Sequence, residues 1–243
     1  MGVIMEEEFI LKKYFIQYMK NIKGLSDASV KHYIGSLRTI SKFLRERNLI
    51  NREVYEVIDI DMLRRLREIV YSDSDFINKN NRGKRMYSAG LNNYIAFAEG
   101  EDFKDIRDKS LLMDIPVPVK AVTGKRMISW NRSGIIRNQA LEMAEYRCEI
   151  EITHESFIAE RNHKLYMEGH HVIPMKKQMN FKNSLDVYAN IVCLCPTCHR
   201  KIHYGVKDDR IKMGEKIYLD RADRLVNSGI RLSKREFLSI ILY

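Results

Sequence analysis

Apolar positions in the first hundred residues recur every three to four places, the spacing of helices with one buried face. Phe9, Ile10, Tyr14, Phe15, Tyr18 and Met19 predict a first helix, which Gly24 interrupts. Ser26 is placed to cap a second, with Val30, Tyr33, Ile34, Leu37, Ile40 and Leu44 on its inner stripe. A third is expected from near Asp61, with Leu63, Leu66, Ile69 and Val70 turned inward, and a fourth from Met86 to Glu99 with Gly100 as its stop. The polar, basic run from Asn78 to Arg85 between them reads as an exposed loop.

The pattern changes at Asp114-Ile115-Pro116-Val117-Pro118-Val119, which holds two of the four prolines. A residue before proline avoids helix, so this stretch is expected to be extended and to separate a domain 1–115 from a domain 116–243. Beyond it, Ile136, Ala140, Leu141 and Ala144 predict a helix from Ser133 to Tyr146. Two shorter helical patterns follow in the tail, around Arg221 to Val226 and from Ser233 to Tyr243. Neither an internal repeat nor a low-complexity tract is present.

Composition narrows the class of protein. The 243 residues are 45% hydrophobic and 30% charged, which describes a folded globular chain and excludes a disordered or collagen-like one. Lys and Arg number 42 against 32 Asp and Glu, a net charge of +10 that favours a polyanionic partner. Without a long apolar run, a membrane span is not expected. The first residues, Met1-Gly2-Val3-Ile4-Met5-Glu6-Glu7-Glu8, lack the basic start and apolar stretch of a signal peptide, so a cytoplasmic location is expected.

Candidate chemistry is concentrated in a fifth of the chain. All four cysteines lie between Cys148 and Cys198, and six of the seven histidines lie between His154 and His203. In a chain expected to stay in the cytoplasm, the pair Cys195-Pro196-Thr197-Cys198 points to metal rather than a disulfide. Two short β-prone segments, around Glu168 to Val172 and Asn190 to Leu194, precede a helix with Pro196 at its first position and Gly205 just past its end. On that helix His199 and His203 share one face and can grip one ion, while Cys198 turns toward Cys195. Two metal sites are implied, one of thiolates and one of imidazoles.

The order Glu168-x-His170-His171-x-x-Pro174, then Asn190, then Cys195-x-x-Cys198-His199-x-x-x-His203 resembles the ββα-metal motif of HNH endonucleases, in particular the zinc-stapled branch found in restriction enzymes. The likeness covers roughly Arg147 to Gly205. It implies an α+β protein: a mainly helical N-terminal domain that contacts DNA, followed by a ββα-metal nuclease domain with a structural zinc site. By this resemblance His171 is the general base, suited by an imidazole pKa near working pH. His170, His199 and His203 are the ligands of one catalytic cation, Mg2+ or another divalent ion. Glu168 orients a ligand, and Asn190 is either a ligand itself or the residue that pins the loop.

The zinc staple departs from the usual two Cys-x-x-Cys pairs, because the first reads Cys148-Glu149-Ile150-Glu151. Cys148, Cys195 and Cys198 need a fourth ligand; His154 is preferred, with Cys193 and Glu151 as alternatives. In the N-terminal half, Gly24-Leu25-Ser26, Tyr33, Leu37 and Phe43-Leu44 resemble the helical core-binding domain of tyrosine recombinases. Asn81 to Ala89 is similar to arms preceding HNH domains in restriction enzymes. Both imply a module that grips DNA, and Lys176-Lys177 and the run from Lys79 to Arg85 are its and the nuclease's candidate phosphate contacts. The expected activity is cleavage of double-stranded DNA in restriction or phage defence, with a homodimer needed to cut both strands. A non-cleaving zinc-ribbon DNA-binding protein, a homing or mobile-element nuclease, and a modification-dependent nuclease are the alternatives.

Overall fold

Ser26, Asp59, Asp73 and Ser133 each accept a hydrogen bond from the backbone N–H three residues on, and these caps set where four helices begin. The computed structural model describes residues 9–105, 114–117, 122–124, 127–129 and 132–242. The chain divides into two compact units, Met1–Glu101 and Asp102–Tyr243.

The first unit is helical: α1 (Ile10–Gln17) with a π-helical turn (Tyr18–Ile22), α2 (Asp27–Glu46), α3 (Ile60–Ser72), α4 (Ser74–Arg82) and α5 (Met86–Glu99). Gly24 (φ +63°) and Gly100 (φ +80°) end the first and last in left-handed conformations that glycine adopts at least cost. Its core is aromatic, with Phe15, Tyr94 and Phe97 in mutual contact at ring separations of 5.2–5.8 Å. Helices α2 and α5 approach closely at Gly90, where a Cβ would sit 2.8 Å from Ser36 Cβ.

Two expectations for this unit are corrected. Asn78 to Arg82 are not loop but the second half of α4, because the Asp73 cap starts a helix that buried Phe76 anchors against Phe43, ring to ring at 5.3 Å. Only Gly83 to Arg85 form the turn. Ile69 is 39% exposed, since Leu63, Leu66 and Val70 already define a narrow buried stripe and residue 69 lies a quarter turn outside it.

The second unit includes an unanticipated hairpin, β1 (Val122–Gly124) and β2 (Met127–Ser129). It continues through α6 (Gly134–Met143), β3 (Glu168–His171), β4 (Ile191–Leu194), α7 (Pro196–Tyr204), α8 (Lys207–Asn227) and α9 (Lys234–Leu242). Helices with small two-stranded sheets make the α+β class expected. Asp114 to Val117 are neither helix nor strand, while Pro118, Val119 and Tyr243 lie outside the described residues. The division between units falls ahead of the prolines because Phe103 is buried 6.2 Å from the Tyr188 ring and Asp114 pairs with Arg224 at 2.5 Å. Helix α8 is far longer than the short pattern at Arg221 to Val226, because its buried stripe of Met213, Gly214, Ile217, Arg221 and Leu225 contains a glycine and an arginine that mask the apolar period. No helix among the described residues is long and apolar enough to cross a membrane.

The strands that matter are β3 and β4, antiparallel with Gly169 opposite Cys193 and His170 opposite Val192. Gly169 lets α6 approach: a Cβ there would lie 2.5 Å from Arg137 Cγ. Close packing between α2 and α5 predicts that Gly90→Leu lowers the melting temperature, at a cost of about 1–3 kcal/mol from overpacking. Thermal unfolding followed by circular dichroism checks this, and an unchanged midpoint would show that the helix contact gives way freely.

Candidate metal centres and active site

Helix α7 starts where Cys195, as its N-cap, accepts a 3.4 Å hydrogen bond from the Cys198 N–H and Pro196 takes the first position. Its start fixes the places of His199 and His203, one turn apart on one face. Alternation along β3 puts Glu168 and His170 on one side of the strand and Gly169 and His171 on the other. The His170 ring then stands 4.9 Å from that of His199 and 4.8 Å from that of His203, with 5.1 Å between the helix pair. One nitrogen from each of the three lies within 4.8 Å of the others.

Electrostatics keep this cluster ready for a cation. Burial, then the neighbouring imidazoles of His199, His203 and His171, push His170 down to about 3, so it carries a free lone pair at neutral pH. His203 is lowered as well, by burial and by His199, Arg210 and Arg200. His199 Nδ1 bonds to Glu168, which leaves its Nε2 as the free donor atom. Burial tends to raise the Glu168 carboxyl, but His199, the Tyr166 hydroxyl (3.2 Å) and Arg200 outweigh it and hold the group below its usual range. His170 is the most enclosed of the three and His203 the most exposed, so the cluster opens to solvent on the helix side.

His171 lies apart from this set in its bonding. Its Nε2 is 2.8 Å from Asp186 Oδ1, with both side chains nearly buried at 12% and 8% exposure. Asp186 Oδ2 accepts from the Ser133 N–H at 2.7 Å, next to the start of α6, and the Asp186 N–H donates to Ser184 Oγ at 3.1 Å. A carboxylate fixed in this way takes the Nε2–H tautomer of His171 as its partner and leaves Nδ1 with the lone pair.

Asn190 is fully buried, and its amide is spent on backbone: Nδ2 donates to Ile173 O at 2.9 Å and Leu185 O at 2.8 Å, and Oδ1 accepts from the Ile173 N–H at 2.8 Å. All three contacts are to main chain. They tie the segment leaving β3 to the entry of β4 and to the residue before Asp186.

The second cluster consists of Cys148, His154, Cys195 and Cys198, whose donor atoms also lie within 4.8 Å of one another. His154 Nδ1 is 3.3 Å from Cys198 Sγ and 3.7 Å from Cys195 Sγ. Three thiols and one imidazole are a donor set for tetrahedral zinc, and the cluster could hold one. Burial opposes ionisation of Cys148, yet the N–H groups of Cys195, Glu151 and Ile150 and the side chain of His154 bring it down to about 7. Burial and the neighbouring thiols push Cys198 up. Cys193 and Glu151 stay outside this group: Cys193 is fully buried in β4, its N–H donating to Glu149 Oε2 at 2.5 Å, and Glu151 is exposed.

Asp186, Tyr166 and the half-buried Glu149–Arg221 ion pair that joins the Cys148 loop to α8 are not among the residues that the sequence singles out. Nothing periodic marks Asp186: it lies fifteen residues after His171 in a polar loop, and only the fold brings the two together. Lys176 is exposed, on a 3-10 turn that follows Pro174.

Residues 147–205 match the family model for HNH endonuclease, and this segment is an HNH endonuclease domain, a nuclease domain of the kind that works with divalent metal. It spans β3, β4, α7 and both clusters. No curated protein matches the chain.

The thiolate cluster predicts that zinc raises the melting temperature of the metal-stripped protein. Cys198→Ser should abolish that rise and Cys193→Ser should keep it, as read by thermal unfolding with and without added zinc. A response lost equally in both would place Cys193 among the ligands.

Proposed function

We propose that the protein is a DNA endonuclease that hydrolyses phosphodiester bonds by a single-metal HNH mechanism, in restriction or phage defence. The observation that carries this reading is the convergence of three imidazoles, His170, His199 and His203, beside a fourth whose tautomer Asp186 fixes. The donor set fits a divalent cation, since the nitrogens are close together and His170 is held neutral by burial and its neighbours. When bound, such an ion polarises the phosphoryl oxygen and offsets the charge of the departing 3′ oxygen.

The chain's own residues supply the rest. His171 Nδ1 takes a proton from the attacking water while Nε2–H stays bonded to Asp186, which stabilises the imidazolium that forms. Glu168 and, behind it, Tyr166 keep His199 turned toward the shared centre. Lys176, exposed just beyond the histidine pair, is a phosphate contact. The substrate in this reading is double-stranded DNA, and the net charge of +10, which favours a polyanion, makes its binding salt-sensitive. The restriction setting is supported by the likeness to zinc-stapled HNH domains and of Asn81 to Ala89 to the arms that precede them. A homodimer supplies the second site for a double-strand break.

Nicking of supercoiled plasmid with Mg2+ or Mn2+ tests this. His171→Ala should lose roughly 10²–10⁴-fold in rate while still binding DNA. Asp186→Asn should lose roughly 10–100-fold in kcat with little change in KM, because it disturbs orientation and not binding. Wild-type cutting by His171→Ala would remove the base assignment.

A further inference from the structure

One edge of the first unit carries four cations that no carboxylate among the described residues pairs, the acid nearest in sequence being Asp75, one helical turn before Lys79. Lys79 and Arg82 lie in the last turn of α4, Lys84 and Arg85 in the turn to α5, and all four are exposed. No Asp or Glu occurs between Phe76 and Ala98. None of the four makes an ion pair among the described residues, whereas Arg45, Arg47, Arg64 and Arg67 of the same unit each face a carboxylate. Four uncompensated charges within seven residues repel one another, and an anion relieves that repulsion.

The turn that presents them is strained and hydrogen-bonded in place. Lys84 (φ +50°) and Arg85 (φ +61°) both take the left-handed conformation, although adjacent Gly83 (φ −82°) does not. Hydrogen bonds from Lys84 N to Asn81 O (3.1 Å) and from Arg85 N to Asn80 O (2.8 Å) hold the chain there. Asn80 also accepts from the Ser88 N–H at 3.1 Å and donates to Ser88 Oγ at 3.0 Å. Long basic side chains thus occupy two positions where glycine would be more stable. Arg85 borders a cleft of about 330 Å3 whose polar lining includes Tyr71, Asn80, Ser88 and Asn92. Its polar groups are bonded to one another, the Tyr71 hydroxyl donating to Asn92 Oδ1 at 2.6 Å and Ser88 Oγ to Arg85 O at 2.9 Å, so the cleft wall braces the turn and the four cations are left to meet phosphate.

We propose that this edge is a phosphate-binding ridge through which the helical unit holds the backbone of duplex DNA, without reading its sequence. The proposal rests on the DNA-cleaving reading above and adds a second contact, carried by the other unit. Its test is binding of the full-length His171→Ala protein to a labelled duplex, by fluorescence anisotropy across a range of salt. Each lost phosphate contact reduces the slope of log K against log salt by about 0.9. Replacing Lys79, Arg82, Lys84 and Arg85 with Ala should therefore reduce it by about 3–4, so that affinity falls about 100-fold less between about 50 and 200 mM salt than in the parent. A charge-matched variant, with Lys20, Lys42, Arg67 and Lys234 replaced by Ala, should keep the parent slope, because each of those faces a carboxylate.

Lys84→Gly with Arg85→Gly separates binding from folding. It relieves the left-handed strain, so the melting temperature should rise while the salt slope falls by about 2. A stabilised variant with unchanged binding overturns the proposal, as does an equal slope change in the ridge and control variants. If the ridge variant binds like its parent while the wild type still nicks plasmid, the ridge fails and the nuclease reading stands. If the parent binds no DNA at any salt, both fall together.

Discussion

Cys195 is one atom group with two duties, and the geometry of the nuclease domain depends on their coincidence. Its sulfur belongs to the thiolate cluster and also caps α7, so whatever holds the cluster fixes where the helix begins. Four and eight residues later come His199 and His203, whose positions follow from helical geometry. The other half of the imidazole cluster arrives by strand pairing: the β3–β4 register sets His170 opposite Val192, three residues before the cap. The two clusters are therefore coupled through four residues of backbone, and zinc held by the first would stiffen the mount of the second.

Around this junction the buried polar groups are satisfied in ways that also orient chemistry. Glu168 fixes a helix histidine, Asp186 fixes the tautomer of His171, and Asn190 closes the loop between them with three backbone hydrogen bonds. Arg221 is 5% exposed and pairs with half-buried Glu149, next to Cys148, so α8 is tied to the thiolate loop by an ion pair buried on its arginine side. Breaking such a pair from one side leaves an uncompensated buried charge, which makes α8 part of the scaffold and not an appendage.

Much of this was legible in the sequence wherever local rules decide structure. The cap at Ser26, a helix starting at Ser133, the stop at Gly100, and the strand–strand–helix order with Pro196 and Gly205 as punctuation all follow from propensity and spacing. The grouping of three cysteines with His154 was expected from the resemblance to zinc-stapled domains and the ligand preferences of zinc, with Cys193 and Glu151 as alternatives. What escaped was set by contacts distant in sequence or by masked periodicity. Asp186 meets His171 only after a fifteen-residue loop folds back, and α8 hides its period behind Gly214 and Arg221. The run from Asn78 to Arg82 looked like loop because of its polarity, yet one cap and one buried phenylalanine were enough to make it helix.

The central claim is that the imidazoles form a metal centre distinct from the thiolate one. Anomalous diffraction from crystals grown with zinc and soaked in manganese tests it most directly. Two separate ion positions are expected, zinc among Cys148, His154, Cys195 and Cys198, and manganese among His170, His199 and His203. A single ion at the thiolates, with the three histidine rings turned apart and no density between them, would contradict it.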